Sequence, residues 1–254
     1  MKNINKNKIL FIGDIHGNND WKDIAEEGLK RFYEIVFLGD YVDSFFIKPI
    51  DQIKNLKELI HFVKSKTANP DNKITLLLGN HDYAYINGYS GISGYQHSLY
   101  IEYQKLFREN IDLFKIAWGH TNEITKKYTL ATHAGLTRRF WNAFVLPIFT
   151  EGNYLNELVE SKKPEDLEIH ETLNLLRDKG SLLWKVGSYR GGSGTPGPLW
   201  ADYDELLEDA YDNINQIFGH TPKTAVTVDH FDDNFYACID SYGNKFTASL
   251  VVSL

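Results

Sequence analysis

Residues 8–17 read KILFIGDIHG, and this stretch decides the fold. Residues 8–12 form a short, mainly apolar run with β-branched isoleucines. This run predicts a buried β-strand that ends at glycine and aspartate. The pattern occurs twice more: residues 35–43 read IVFLGDYVD, and residues 74–82 read ITLLLGNHD. Helical patterns over residues 18–31 and from residue 49 onward separate the three strands. We therefore predict a largely parallel inner sheet.

Polar side chains follow each of these strands. Ligands of parallel sheets gather beyond the carboxyl ends of the strands, where Asp14, Asp40 and Asn80 are expected. Asp14 and His16 point to the same side of an extended segment, so both can reach one metal ion. Asp40 and Asp43 come at a strand end, where a carboxylate can bridge two cations.

Two histidines later in the chain occur in similar surroundings. His133 lies in the sequence THAG over residues 132–135, and His220 lies in GHTP over residues 219–222. Either histidine alone would most simply be a structural residue. Together with the three strand-end motifs, they indicate a metal-dependent site.

The remaining predictions place further elements along the chain. We predict a loop over residues 83–95, a helix over 98–109, paired strands over 112–118 and 124–132 with a turn near residues 120–122, helices within 136–178, a loop over 187–198, and strands over 214–218, 235–239 and 246–252.

Composition excludes several classes of protein. The 254 residues are 43% hydrophobic and 24% charged, as in an ordinary globular chain, and we predict one domain over residues 1–254. The single cysteine, Cys238, rules out an intramolecular disulfide and favours a cytoplasmic protein. No apolar run approaches the ~20 residues of a membrane span. The net charge of −7 argues against bulk nucleic-acid binding.

These motifs resemble the calcineurin-like metallophosphoesterase superfamily. The amino-acid sequences of the motifs are most similar to those of its phosphoprotein-phosphatase branch, which includes bacterial Ser/Thr phosphatases and diadenosine tetraphosphatases. The resemblance extends from Gly13 to about Leu250. It implies an α/β (α+β) fold in which two mixed β-sheets pack as a sandwich flanked by helices.

The resemblance also implies a role for each matching residue. Asp14 and His16 would bind a first metal ion, and Asp40 would bridge two. The ligands of the second ion would be Asn80, His133 and His220. His81 would be a general acid near the leaving group, oriented by Asp43.

The implied reaction is hydrolysis of a phosphomonoester by a hydroxide that bridges two divalent cations. The substrate would be a phosphoprotein or a small molecule. Mixed oxygen and nitrogen ligands suit Mn²⁺, Fe or Zn²⁺ better than Ca²⁺ or Mg²⁺, and of these we expect Mn²⁺, with Fe or Zn²⁺ as alternatives. A second reading is a nucleotide hydrolase acting on dinucleoside polyphosphates or cyclic phosphodiesters. A third, a binding module without activity, is disfavoured because every implied ligand and His81 are present.

One departure from the branch pattern concerns the substrate phosphate. The branch has Arg-Gly after its second aspartate, whereas this chain has Ser44 and Phe45. Serine cannot replace a bidentate arginine. Arg190 in the glycine-rich loop is the candidate substitute. Arg138 and Arg139 are the other candidates, although for both we favour a structural or surface role.

Two further features invite a functional reading that we disfavour. Gly119-His120-Thr121 repeats the spelling around His220, but it precedes the His133 motif, so we predict that His120 is a surface turn residue. Aromatic residues predicted in loops near the site could stack a nucleobase, but we favour packing. These are Tyr83, Tyr85, Tyr89, Tyr95 and Trp200.

Overall fold

The computed structural model describes residues 5–150, 166–192, 194–241 and 247–253. Contacts divide the chain into two compact units. Unit 1 comprises the described residues within 1–115, 222–227 and 239–254, and unit 2 those within 116–221 and 228–238. The single domain over residues 1–254 stays a prediction.

The elements alternate along much of the chain. The strands in the described residues are β1 (Asn5–Ile12), β2 (Phe32–Phe37), β3 (Lys73–Leu77), β4 (Phe114–Lys115), β5 (Ala117–Thr121), β6 (Tyr128–Thr132), β7 (Ile214–Phe218), β8 (Thr227–Phe231), β9 (Asn234–Cys238) and β10 (Ser249–Ser253). The helices there are α1 (Trp21–Arg31), α2 (Pro49–Thr67), α3 (Asn80–Asn87), α4 (Tyr100–Glu109), α5 (Arg138–Phe140), α6 (Leu146–Thr150), α7 (Ile169–Leu175), α8 (Gly180–Leu183) and α9 (Tyr203–Glu208). Short 3₁₀ or π turns occur at His97–Leu99, Ile111–Leu113, Trp141–Val145 and Ser188–Arg190.

Unit 1 is built on a five-stranded sheet with the order β10-β1-β2-β3-β4. The four strands from β1 to β4 are parallel, and β10 pairs antiparallel with β1. The central apolar runs are buried, as expected for parallel strands covered on both faces. Helix α2 begins at Pro49, which suits a first helical position, and buries Ile53, Leu56 and Leu59 on one side. The predicted parallel inner sheet is confirmed.

Unit 2 is built on a second five-stranded sheet, with the order β5-β6-β7-β9-β8. Strands β6, β7 and β9 are parallel neighbours, while β5 is antiparallel to β6. The chain thus has two mixed sheets with helices, which confirms the predicted α/β class. Their packing as a sandwich stays a prediction.

Two of the local predictions are wrong. Residues 83–87 belong to helix α3 and are not loop. Residues 80–85 are all buried, so this helix has no polar face and its sequence shows no helical pattern of polar and apolar residues. The helix ends where Gly88 takes a positive φ of 76°. Residues 112–118 are not one strand, because β4 pairs with β3 and only β5 pairs with β6.

His120 also differs from its prediction. It lies within β5 opposite Thr129 and is half-buried, with its ring stacked 6.1 Å from that of Trp118. The turn comes later, where the Asn122 side chain accepts hydrogen bonds from the backbone N–H groups of Ile124 and Thr125. His120 is therefore a strand residue with a packing role.

Where the other predicted helices, strands and loops fall on described residues, their boundaries agree with the structure to within a few residues. The predicted helices within 136–178 extend over residues 151–165, and the last strand begins at residue 246, both of which lie outside the described residues. None of the described helices has the length and hydropathy needed to cross a bilayer.

Candidate active site

Unit 1 gathers polar side chains at the carboxyl ends of three neighbouring parallel strands. Asp14 follows β1, Asp40 follows β2, and Asn80 follows β3 at the start of α3. Ligand atoms of Asp14, His16 and Asp40 all lie within 4.8 Å of one another. This juxtaposition is what the parallel topology predicts.

The backbone around these side chains adopts an uncommon conformation. Seven non-glycine residues in the described chain have positive φ, and four of them are candidate site residues: His16 (43°), Asp40 (52°), Asp43 (67°) and His220 (66°). A left-handed conformation at such a residue costs of order 1–3 kcal/mol, so the surrounding contacts must enforce it. Three of these four residues lie in unit 1 and His220 lies in unit 2, so each unit has backbone strain at a candidate site position.

Asp82 supplies much of that enforcement in unit 1. Its Oδ2 accepts hydrogen bonds from the backbone N–H groups of Asp40 (2.8 Å) and Gly79 (2.9 Å), and its Oδ1 accepts one from Tyr41 (2.9 Å). The side chain is fully buried. Asp82 thereby fixes the turn after β2, which holds Asp40 next to Gly79 at the end of β3. These hydrogen bonds give Asp82 a structural role that does not depend on the identity of the substrate.

Close packing at Gly79 holds Asp40 in place. A Cβ atom on Gly79 would lie 2.0 Å from Asp40 Oδ1 and 2.5 Å from the Asp40 backbone nitrogen. The Asp40 Oδ1 atom also accepts a hydrogen bond from the His81 backbone N–H at 3.0 Å. Only glycine leaves room for the carboxylate at this position.

His16 is held so that one ring nitrogen faces the carboxylates. Its Nδ1 lies 2.8 Å from the Val42 carbonyl oxygen, and its backbone N–H donates to the Asp40 carbonyl oxygen at 2.7 Å. The other nitrogen, Nε2, lies 3.7 Å from Asp40 Oδ2. A carbonyl partner on one ring nitrogen is the usual way in which a histidine is oriented as a metal ligand.

His81 and Asp43 form a buried pair beside this cluster. His81 Nδ1 lies 2.9 Å from Asp43 Oδ2, and His81 Nε2 lies 4.0 Å from Asp40 Oδ2. Burial lowers the pKa of His81, but the carboxylates of Asp40 and Asp43 outweigh burial and raise that pKa above its ordinary value. Burial raises the pKa of Asp43, although hydrogen bonding to His81 opposes the rise.

Tyr85 is a partner of this pair that the sequence patterns missed. Its hydroxyl lies 2.5 Å from Asp43 Oδ1, and its ring stacks on Tyr95 with centroids 4.6 Å apart. Tyr83 and Tyr85 are fully buried in α3. Burial supports the packing role predicted for these two tyrosines. The only sequence signal was an aromatic residue one helical turn beyond His81.

Unit 2 brings the two later histidines together. His133 follows β6 and His220 follows the neighbouring parallel strand β7, and the two rings have centroids 5.0 Å apart. The Gly219 backbone N–H donates to the His133 carbonyl oxygen at 2.7 Å. Both side chains are buried. Trp200 packs edge-on to the His220 ring with centroids 5.5 Å apart, which supports the packing role predicted for it.

The candidate phosphate-binding arginine lies beside His220 in unit 2. Arg190 Nη2 donates to Thr221 Oγ1 at 2.9 Å, and its Nε lies 2.9 Å from Asp202 Oδ2. The arginine is thus fixed by neighbours within its unit. Arg138 and Arg139 both pair with Asp209, which supports the structural role favoured for them.

Ser44 has a local role of its own. Its hydroxyl accepts hydrogen bonds from the backbone N–H groups of Phe46 and Ile47, both at 3.2 Å. Its own N–H donates to Gln52 Oε1 at 2.9 Å. Ser44 therefore shapes the turn before α2. The turn leaves the side chains of Phe45 and Phe46 exposed to 72% and 88%.

The side chains in unit 1 fit a divalent cation. Asp14, His16 and Asp40 combine two carboxylates with an imidazole, and the Asp40 carboxylate is buried with a relative exposure of 2%. Mn²⁺, Fe and Zn²⁺ all accept such mixed oxygen and nitrogen donors. A bound cation would offset part of the cost of burying the Asp40 charge.

Comparison with known proteins identifies the family. The family model for calcineurin-like phosphoesterases matches residues 7–234. The chain has no significant match among curated proteins. Among solved structures, it is similar to a metallophosphoesterase from Sphaerobacter thermophilus, with 12% identity, a TM-score of 0.40, and coverage of 98% of this chain and 84% of that one.

Two other solved structures are similar at the same level. One is a conserved uncharacterized protein, a predicted phosphoesterase, from Streptococcus pneumoniae TIGR4 (10% identity, TM-score 0.32, 98% of this chain and 84% of that one). The other is the phosphatase domain of the Legionella effector WipB (13% identity, TM-score 0.41, 84% of this chain and 72% of that one). The assignment rests on the family model, which covers most of the chain. The chain therefore belongs to the calcineurin-like phosphoesterase family of metal-dependent phosphoric ester hydrolases.

Proposed function

We propose that this chain is a dinuclear phosphomonoesterase of the phosphoprotein-phosphatase branch. The observation that carries the proposal is the His81–Asp43 pair beside the Asp14, His16 and Asp40 cluster. A histidine oriented by a carboxylate next to candidate metal ligands can protonate the leaving oxygen during metal-assisted phosphoester hydrolysis. The spelling GDYVD over residues 39–43 and GNHD over 79–82 supports the branch.

The proposed ligand set follows the resemblance residue by residue. Asp14 and His16 would hold the first cation, and Asp40 would contribute to both. Asn80, His133 and His220 would be the remaining ligands of the second cation. Mn²⁺ is the proposed ion, with Fe or Zn²⁺ as alternatives, and all three accept a donor set that mixes carboxylate, amide and imidazole groups.

The residues of this chain divide the work of the reaction. When bound, the cations lower the pKa of a water molecule and neutralise charge on the phosphoryl oxygens. His81 gives a proton to the leaving oxygen from Nε2, because Nδ1 is engaged by Asp43. Asp43 keeps the ring oriented and stabilises its protonated form. General-acid catalysis of this kind contributes about 10²–10⁴-fold.

Arg190 is the proposed partner of the substrate phosphate. It stands in for the arginine that the branch has at the position of Ser44. Its hydrogen bond to Thr221, directly after His220, supports the proposal. The ion pair with Asp202 holds the guanidinium in one orientation, as a phosphate clamp requires.

A nucleotide hydrolase is the second candidate. The exposed rings of Phe45 and Phe46 favour it, because they follow Asp43 and Ser44 in the sequence and offer apolar faces on which an aromatic base can pack. Dinucleoside polyphosphates and cyclic phosphodiesters are the substrate classes concerned. We also propose a cytoplasmic location, which the presence of a single cysteine, Cys238, in the sequence supports.

A substrate panel separates the two candidates. Purified protein with Mn²⁺ is assayed against para-nitrophenyl phosphate, its bis-ester, a phosphopeptide and diadenosine tetraphosphate. The phosphomonoesterase proposal expects the highest kcat/KM on a monoester. Preference for the dinucleotide or the bis-ester would favour the second candidate. Bound metal with no turnover on any compound would contradict both.

A further inference from the structure

Tyr85 is fully buried and lies next to the His81–Asp43 pair. The Asp43 carboxylate is completely buried, and its two oxygens have different partners: Oδ2 faces His81 Nδ1 at 2.9 Å, and Oδ1 faces the Tyr85 hydroxyl at 2.5 Å. A carboxylate with one oxygen engaged can still rotate. With both engaged, its orientation is fixed.

The direction of the Tyr85 hydrogen bond is determined by its surroundings. The Gln96 backbone N–H donates to the Tyr85 hydroxyl oxygen at 2.7 Å, so that oxygen already acts as an acceptor. The hydroxyl proton is left for Asp43. Burial, reinforced by the negative charge of Asp43, raises the pKa of Tyr85 far above its ordinary value, so the phenol stays protonated.

The tyrosine itself is held firmly. Its ring stacks on Tyr95, with an interplanar angle of 8°, and contacts Tyr103 at 4.7 Å between centroids. The loop that brings Tyr95 and Gln96 passes close to Asp43, because a Cβ atom on Gly94 would lie 3.0 Å from the Asp43 carbonyl oxygen. Gly94 also has a positive φ of 73°. Tyr85 thus couples this loop to the His81–Asp43 pair.

We propose that Tyr85 is a positioning residue that aims the Asp43 carboxylate, and through it His81, at the leaving oxygen. The inference rests on the proposed function for the role of His81 and adds a third residue to the pair. Removing the hydroxyl would leave Asp43 Oδ1 buried without a donor, so the carboxylate would turn and His81 would lose its fixed orientation. The effect belongs to proton delivery and not to substrate binding.

The chain offers a matched control in Tyr103. Its hydroxyl is buried and has no hydrogen-bond partner among the described residues, while its ring packs against the same Tyr85 ring. Tyr103→Phe removes a hydroxyl from the same aromatic cluster without touching Asp43. A loss that reflected packing alone would appear equally in both variants.

The kinetic test uses leaving groups of different quality. For Tyr85→Phe we expect kcat on phenyl phosphate to fall about 10- to 100-fold, the equivalent of one hydrogen bond to a charged group. On para-nitrophenyl phosphate, whose leaving group needs less help from a proton, we expect a fall of less than about threefold. KM should stay within about twofold of the wild-type value on both compounds, because the substitution leaves ground-state binding of the substrate unchanged. Tyr103→Phe should match the wild type on both.

A double-mutant cycle sharpens the assignment. If Tyr85 acts through His81, the Tyr85→Phe substitution should cost nothing further in a His81→Asn background. Equal losses of kcat on phenyl phosphate and para-nitrophenyl phosphate would overturn the positioning role. It would also be overturned if the losses in kcat caused by Tyr85→Phe and His81→Asn were fully additive as free energies.

A spectroscopic measurement makes the result independent of turnover. The ¹⁵N resonances of the His81 ring are recorded for protein with added Zn²⁺, which is diamagnetic. Tyr85→Phe should shift them, and Tyr103→Phe should not. Unchanged resonances in Tyr85→Phe would overturn the inference even in an active enzyme. Shifted resonances in a protein that hydrolyses neither phosphate would uphold the contact and contradict the proposed function instead.

Discussion

Asp82→Asn is the substitution whose consequences the structure defines most closely. The Asp82 carboxylate is fully buried and accepts hydrogen bonds from the N–H groups of Gly79, Asp40 and Tyr41 at 2.8–2.9 Å. An asparagine has the same shape but only one acceptor oxygen. In either orientation of the amide, its NH₂ group would face at least one backbone N–H.

The expected cost follows from that conflict. A buried N–H without an acceptor costs about 1–3 kcal/mol, and the bonds that remain lose the assistance of a full negative charge. We therefore expect the free energy of unfolding to fall by about 2–4 kcal/mol, which lowers Tm by about 5–15 °C in a chain of this size. Because the same turn carries Asp40, metal affinity should fall about 10–100-fold, as for other groups that support a ligand.

Calorimetric unfolding and Mn²⁺ titration measure the two effects. Asp71→Asn is the control, because Asp71 is exposed, so it should leave Tm and metal affinity unchanged. An Asp82→Asn variant with the Tm and the Mn²⁺ affinity of the wild type would refute the claim that this carboxylate holds the turn. A lower Tm with unchanged affinity would refute the link to Asp40.

Three further substitutions test the candidate site. His81→Asn should lower kcat about 10²–10⁴-fold with unchanged metal content by elemental analysis; loss of metal would make His81 a ligand and not an acid. His220→Asn should reduce the bound Mn²⁺ from two ions per chain toward one, whereas His120→Asn should retain both; the opposite result would reverse the choice between the two Gly-His-Thr motifs. Gly79→Ala should weaken Mn²⁺ binding, because its Cβ would lie 2.0 Å from the nearest carboxylate oxygen, while Gly91→Ala, with nothing within 4 Å, should not. Equal Mn²⁺ affinities in the two alanine variants would contradict the steric account.

The inner sheet of unit 1 was predictable because its signals are local. Three apolar runs that each end in glycine and a polar residue define β1, β2 and β3, and parallel topology then brings Asp14, Asp40 and Asn80 to one edge. The start of α2 was equally clear from Pro49.

The missed elements lack such local signals. Helix α3 is buried over residues 80–85, so no alternation of polar and apolar residues reveals it. Strand β8 is mostly exposed at the edge of its sheet and carries no apolar alternation. Strand β4 is two residues long and is defined only by its pairing with β3.

The supporting residues of the site could not be predicted because their partners are distant in sequence. Tyr85 contacts Asp43 across 42 positions, and Asp82 contacts Asp40 across 42. No spacing rule connects such pairs before the fold is known. Their substitution effects are correspondingly the most informative about the structure.

The most direct test of the central claim is a rate assay on metal-stripped protein with Mn²⁺ added back. The substrates are para-nitrophenyl phosphate, its bis-ester and diadenosine tetraphosphate, and bound metal is counted in parallel. The account predicts no turnover without metal, restored turnover as two Mn²⁺ ions bind per chain, and preference for the monoester. Protein that binds no metal and hydrolyses none of these compounds would contradict it.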